Sequence, residues 1–519
     1  MPFRSMKFDL PVVVALWMAC VGCGGSGSSN SMSQQTSDPP TQQQQQPVAD
    51  TQSLTADEIR AIINTAASSA NDPFVIAVTD RSGRPLAVFR KTGAPKAAVG
   101  NFSVEVDSGE LAVALARTAA FFSNDQAPLS SRTVRYLSGI HFPPGVANTS
   151  NAPLYGIENT NRGCLLGDNF APGQALPPAR ALSGTTGLGM ITGKVDVNDS
   201  NQTAVNPGGV PIYKNGDVVG GIGVVGSTPE VSEFAAFSAT LSSLPSFPAP
   251  GAVVINGITV PFVVQTTIPG GFTPDPSFTG SYQLGPIASP GPVPVGYLVT
   301  PHAGPVGGLS AGEVASIVTN AINTANITRA VIRLPIGQRT KMVISVADLD
   351  GTLLALYRMS DATVFSVDVS VSKARNMTYF NSQHLNPNDL PGVPLGTALT
   401  NRTIGFGAQP LYPPGIDGSV AGPFFQLYVN DVDHPCTQGS QVQSQNQSGI
   451  VFFPGSVGLY QNGTLVGGLG VSGDGVDQDD YITAGGASGY EAPTNIRADQ
   501  IIDAGVRLPY LKFPRNPTQ

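Results

Sequence analysis

The chain has 519 residues, too many for one ordinary core, so two domains with connecting segments are expected. A net charge of −8 with only 12% charged residues supplies neither the basic face that nucleic acid needs nor a cationic surface for anionic lipid. Gly 60 and Pro 45 fall short of wholesale disorder but predict long irregular connections.

The N-terminus has the form of an export signal over residues 1–22: Arg4 and Lys7, then an apolar run from Leu10 to Gly22 that is too short to span a bilayer. Cys23 followed by GGSGSS has the form of a lipoprotein cleavage site, with Cys23 as the lipidated first residue; a plain secretory signal cleaved nearby is the alternative. Residues 23–53, rich in Ser, Gln and Pro, read as a disordered tether. The expectation is an exported periplasmic or outer-membrane lipoprotein that touches membrane only through its anchor.

Thr55-Ala-Asp-Glu58 is a capping box opening a helix with Ile59, Ile62, Ile63, Ala66 and Ala67 on one face, and Ser310-Ala-Gly-Glu313 repeats it ahead of Val314, Ile317, Val318, Ala321 and Ile322. Next, VIAVTDRSGRPLAVFR (Val75 to Arg90) matches VISVADLDGTLLALYR (Val343 to Arg358), two strands around a turn with Asp80 and Gly83 or Asp348 and Gly351. The turn acid caps its own turn or contacts a ligand; the closing Arg is ion-paired or holds a carboxylate. A helix within Phe102 to Phe122 then matches Phe365 to Phe380, with about five extra residues in the first copy. Long excursions follow, sharing FPPG at 142–145 and YPPG at 412–415, then Cys164 and Cys436. An oxidising compartment favours a Cys164–Cys436 disulfide, with two buried thiols as the alternative.

Each copy ends in a hairpin: PGGVPIYKNGDVVGGIGVVG (207–226) and PGSVGLYQNGTLVGGLGVSG (454–473) share 12 of 20 positions. Asn-Gly suits a type I′ turn. The Gly-dense second strands predict close approach by another backbone or a flat ligand, and the twin hairpins are expected side by side or face to face. Domain one is thus placed at 54–245, a Pro-rich connector with a hairpin around Asn256-Gly257 at 246–308, and domain two at 309–519. The last includes a tail, Thr494 to Arg515, with no counterpart in the first copy.

The order helix, VxDxxGxLLAxxR strand pair, helix with Lys373-Ala374 and Phe380, and NGxxVGGxGVSG hairpin resembles the GlcG/HbpS family of haem-binding and haem-degrading domains, and is similar to the C-terminal domain of PduO-type corrinoid adenosyltransferases. Copy two fits better; copy one has Leu115 where copy two has Lys373, and Val225 where it has Ser472. The resemblance implies an α+β fold. Each tandem domain would be an antiparallel sheet of about five strands with helices packed on one side, and the two copies would supply a pseudo-dimer or join a homo-oligomer.

No CxxCH occurs, so covalent c-type haem is excluded and any haem is bound non-covalently. In copy two Arg358, Lys373 and Ser472 near Gly468 are expected to hold the propionates. His384 ranks first as iron ligand, ahead of His434 and then Tyr460, whose copy-one equivalent is Tyr213. DVNDSN (196–201) and DGVDQDD (474–480) have oxygen-ligand spacing for Ca²⁺, or are solvated loops. Three functions stay open: a haem or tetrapyrrole binder for storage, sensing or turnover; a surface module for a partner protein or small organic acid; and a haem-degrading oxidoreductase.

Overall fold

The computed structural model describes residues 52–164, 187–246 and 249–519. The expected signal, Cys23 and nearly all of the tether lie outside them. In copy one, strands Val75–Asp80 and Pro85–Lys91 pair antiparallel, the hairpin Gly209–Lys214/Asp217–Val225 joins the first of them, and Gly280–Leu284 closes the far edge. In copy two Ser456–Gln461, Thr464–Ser472, Val343–Ala347, Leu353–Arg358 and Gly296–Val299 follow the same order. Both sheets therefore have five antiparallel strands, and the connector supplies an edge strand to each.

Period-two alternation decides how the sheets are covered. Val75 and Ala77 pack with Leu111, Ala112 and Leu115 of helix Ser108–Phe122, whereas Ile76 and Val78 pack with Ile59 and Ile63 of helix Ala56–Ser68 and Val231 of helix Pro229–Thr240. In copy two Gly468 and Gly470 face helix Ser366–Phe380. Leu469, between them, faces the opposite layer of helices Ala311–Ile327 and Val476–Gly486. Helices thus lie on both faces, not one, which is why every residue of Val75–Asp80 is buried.

The glycines explain the close approach differently from the sequence expectation. A Cβ on Gly221 or Gly223 would strike the carbonyl oxygens of Ala116 and Ala112; on Gly468 or Gly470, those of Ala374 and Ser370. What presses on each hairpin is the helix of its own copy, neither its twin nor a flat ligand. The matched contacts also fix the alignment, with Leu115 standing in the place of Lys373. The turns are as expected, with φ of 53° and 93° at Asn215 and Gly216 and of 50° and 80° at Asn462 and Gly463. Both capping boxes form.

The C-terminal tail does have a counterpart. Its hairpin Ile502–Asp503/Val506–Arg507 runs into Pro509 and Tyr510, whose carbonyls accept from Thr403 and Thr400 at the start of helix Asn401–Gly407. In copy one the connector hairpin Val254–Ile255/Ile258–Thr259 runs into Pro261 and Phe262, which do the same for Thr133 and Ser130 at helix Ser131–Ser138. VINGITVPF is therefore the tail of copy one.

The two copies meet along helix ends and excursions. Phe122 stacks on Phe365 with centroids 4.2 Å apart, Tyr155 stacks on Tyr428 at 4.9 Å, and Cys164 is bonded to Cys436 as expected.

Candidate functional site

Arg358 ends its strand beside Val343 and beside Gly296 of the connector. Its side chain is fully buried: Nε and Nη2 donate to the Ala362 carbonyl at 3.2 and 2.7 Å, and Nη1 to that of Pro294 at 3.2 Å. Lys373 is equally buried. Its ammonium donates to the Val471 carbonyl (2.8 Å) and to Asp479 Oδ2 (2.9 Å), and lies 5.0 Å from the centre of the Phe453 ring. Burial raises the Asp479 carboxyl to about 7 and lowers the Lys373 ammonium. Ser472 Oγ donates to Ser366 Oγ at 3.0 Å, and Gly468 lies under the Ala374 carbonyl. Lys373, Ser472 and Gly468 gather around one helix, but as its internal packing, while Arg358 holds the Ala362 and Pro294 carbonyls; the exposed cationic edge expected at this position is absent among the described residues. The reason is that the connector strand and the helix of Asp479 close over cations that were expected at a sheet margin.

The candidate iron ligands lie elsewhere. His384 is exposed in the turn after helix Ser366–Phe380, its amide donating to Ser382 Oγ at 3.1 Å. His434, also exposed, ends helix Phe425–Asp433 with Nδ1 3.0 Å from the Asn430 carbonyl, which leaves Nε2 as the donor atom. Tyr460 is 5% exposed, and its phenol oxygen has no hydrogen-bond partner among the described residues. Its ring and the Asn381 amide both border Gly458, so it reaches the end of the helix that leads to His384. Burial raises the Tyr460 phenol above its ordinary range. Tyr213, at the same place in copy one, donates to the Asn124 carbonyl at 2.8 Å. An imidazole and a phenol are donor types that haem iron accepts; His384 presents its imidazole in an exposed turn, whereas the Tyr460 phenol oxygen and the internal cations are enclosed.

The acidic clusters are ion-pair anchors. Asp199 pairs with Arg135; Asp474 with Arg333; Asp479 with Lys373; Asp480 with Arg402; and Asp477 with Arg402 and Lys512. No group of three or more His, Cys, Asp or Glu able to hold a metal ion occurs among the described residues. The Ca²⁺ expectation finds no support: five of the six carboxylates already face cations, and Asp196 Oδ1 accepts from the Ser200 amide at 3.0 Å. The turn acids are structural too: Asp80 Oδ1 accepts from Ser82 Oγ (2.6 Å) and the Arg84 amide (3.0 Å).

Sequence reasoning missed two polar clusters at the joint between copies. Arg81 bridges Asp125 (3.3 Å) and Asp361 (3.0 Å), and Arg333 holds Asp361 (2.7 Å) and Asp474. Burial, with repulsion from Asp361, raises Asp125 to about 6. In the second cluster Lys194 lies between Glu158 (3.4 Å) and Tyr428 Oη (3.3 Å), 4.6 Å from the Tyr155 ring centre. These partners are far apart in sequence, and the motifs carry no mark of their pairing.

The model of the haem degrading protein HbpS-like family matches twice, at residues 52–239 and 322–488. No curated protein matches the chain. Among solved structures, a PduOC–haem complex is 20% identical with a TM-score of 0.24, covering 36% of this chain and 97% of its own. Klebsiella pneumoniae protein ORFY is 19% identical with a TM-score of 0.23, covering 36% of this chain and 92% of its own. The two family matches take in more than half of the chain and fall on the two sheet-and-helix units, so the chain belongs to the HbpS-like family of haem degrading proteins.

Proposed function

We propose that the protein binds haem or a related tetrapyrrole non-covalently, as an exported and lipid-anchored tandem domain, for storage, sensing or turnover. The double match to the HbpS-like family carries this reading. The His384 imidazole, exposed just past the end of helix Ser366–Phe380, is the donor this reading assigns to copy two, with the buried Tyr460 phenol as the lesser candidate. Bound there, the group would supply iron and its redox chemistry. The chain's part is to present a nitrogen or phenol donor on a rigid helix end. Lys373, Ser472 and Gly468 serve it indirectly by fixing that helix to the sheet, and Arg358 by holding the Ala362 carbonyl ahead of it. The paired copies do within one chain what two subunits of a dimer would do, and Cys23 with the tether sets them at a membrane surface.

Haemin titrated into the full chain tests the reading. A Soret shift that saturates, and is altered in His384→Ala, supports it. Loss of the bound spectrum under reductant would assign turnover, and persistence would assign storage or sensing. An unchanged haemin spectrum would leave a surface module for a partner protein or organic acid.

A further inference from the structure

The two copies differ at their strand-end arginines. Arg358 is sealed in copy two, whereas Arg90, in the same register against Val75, is part-exposed on the wall of an open cleft of about 640 Å³. The cleft runs between the end of strand Pro85–Lys91, the loop through Lys96, and the edge strand of Ser281 and Gln283. Copy one's extra residues form the short hairpin Ala97–Val99/Glu105–Asp107 beside it. Arg90 Nη1 donates to the Pro95 carbonyl at 2.9 Å, which fixes the guanidinium. Nη2 meets Asp107 Oδ2 at 3.1 Å.

Asp107 is the one acid of the lining among the described residues, and its other oxygen caps helix Ser108–Phe122 by accepting from the Gly109 and Glu110 amides. That carboxylate is therefore balanced by the helix start as well as by Arg90. Lys96 adds an exposed ammonium with no ion pair among the described residues. Two of the guanidinium's five donors are used, so it can take a second carboxylate alongside Asp107.

We infer that copy one carries a carboxylate-binding cleft of its own, built on Arg90 and Lys96 and sharing no residue with the His384 and Tyr460 end of copy two. The ligand chemistry is an organic carboxylate, either the propionate edge of a tetrapyrrole or a small free organic acid. The first source rests on the proposed haem reading; the second does not.

Two titrations of the full chain separate the sources: haemin against its propionate dimethyl ester by absorbance, and succinate by calorimetry. Each is repeated in Arg90→Gln and Lys96→Gln, with circular dichroism confirming the fold and Lys512→Gln as a charge control. For the tetrapyrrole, haemin binds more tightly than the ester, and both cleft variants weaken haemin on the order of tenfold, the size of one lost charge-assisted hydrogen bond. For a free acid, succinate heat appears in the wild type and in Lys512→Gln and is lost in both cleft variants. Haemin binding unchanged in the variants together with no succinate heat overturns the cleft while the haem reading stands. Absence of haemin binding alongside variant-sensitive succinate heat overturns the haem reading while the cleft stands.

Discussion

Replacing Lys373 by Leu, the residue copy one has at this place, leaves Asp479 buried without its cation. Asp479 is 2% exposed, and its Oδ1 has no partner among the described residues. Removing one member of a buried pair costs roughly 3 to 5 kcal/mol, because the remaining charge is desolvated and uncompensated. Asp479 escapes part of that cost by taking up a proton, since even beside Lys373 its carboxyl sits at about 7. The loss should therefore be larger at pH 8 than at pH 5.5. Copy one also supplies the repair. Gly208 abuts Ser232 just as Gly455 abuts Asp479, so Lys373→Leu with Asp479→Ser reproduces the apolar arrangement and should recover most of the stability. Urea unfolding followed by circular dichroism at both pH values measures this. A single variant that loses under about 1 kcal/mol at pH 8, or a double variant no better than the single, would show that the Lys373–Asp479 pair is not a buried charge pair of this kind.

Stability should fall as pH rises from 5.5 to 8: burial gives Asp125 and Asp479 folded-state values of about 6 and 7, above the unfolded value near 3.9, so their contribution is complete below that value and lost on rising through 6 to 7. Thermal melts of Asp125→Asn should lack the part of this fall near pH 6; an identical profile would contradict the assignment. Gly468→Val should cost more than roughly 1 to 3 kcal/mol, since its side chain strikes the Ala374 carbonyl, and chemical denaturation showing wild-type stability would remove the helix-on-hairpin account. Tyr460→Phe should hold or raise stability by up to about 1 kcal/mol, because a buried hydroxyl without a partner is deleted; a clear loss would mean the phenol has a partner. A chain lacking residues 1–53 should show no free thiol when denatured without reductant, and reducing the Cys164–Cys436 bond should cost on the order of 5 kcal/mol in the chain-entropy model.

The duplicated motifs made much of the fold legible. Capping boxes, Asn-Gly turns and paired strand runs are local signals, and all of them formed where the sequence put them. The tail of copy one was not legible, because VINGITVPF and IDAGVRLPY share a shape and a Pro-aromatic end more than they share residues. Two-sided helix coverage was present in the unbroken apolar run of Val75 to Val78, a pattern shared with strands in other settings. For the site the limit was different. Arg358 and Lys373 carry the same letters whether they meet a ligand or the carbonyls and carboxylate that enclose them, and only the distant Pro294 and Asp479 decide between the two. The copy-one cleft was hidden for the same reason, since its walls come from residues near 90, 107 and 281.

Gel filtration of the full chain mixed with excess haemin asks whether the protein holds the tetrapyrrole at all. Haem should co-elute with the protein at one or more per chain, with a Soret band distinct from free haemin. Protein eluting without haem would contradict it.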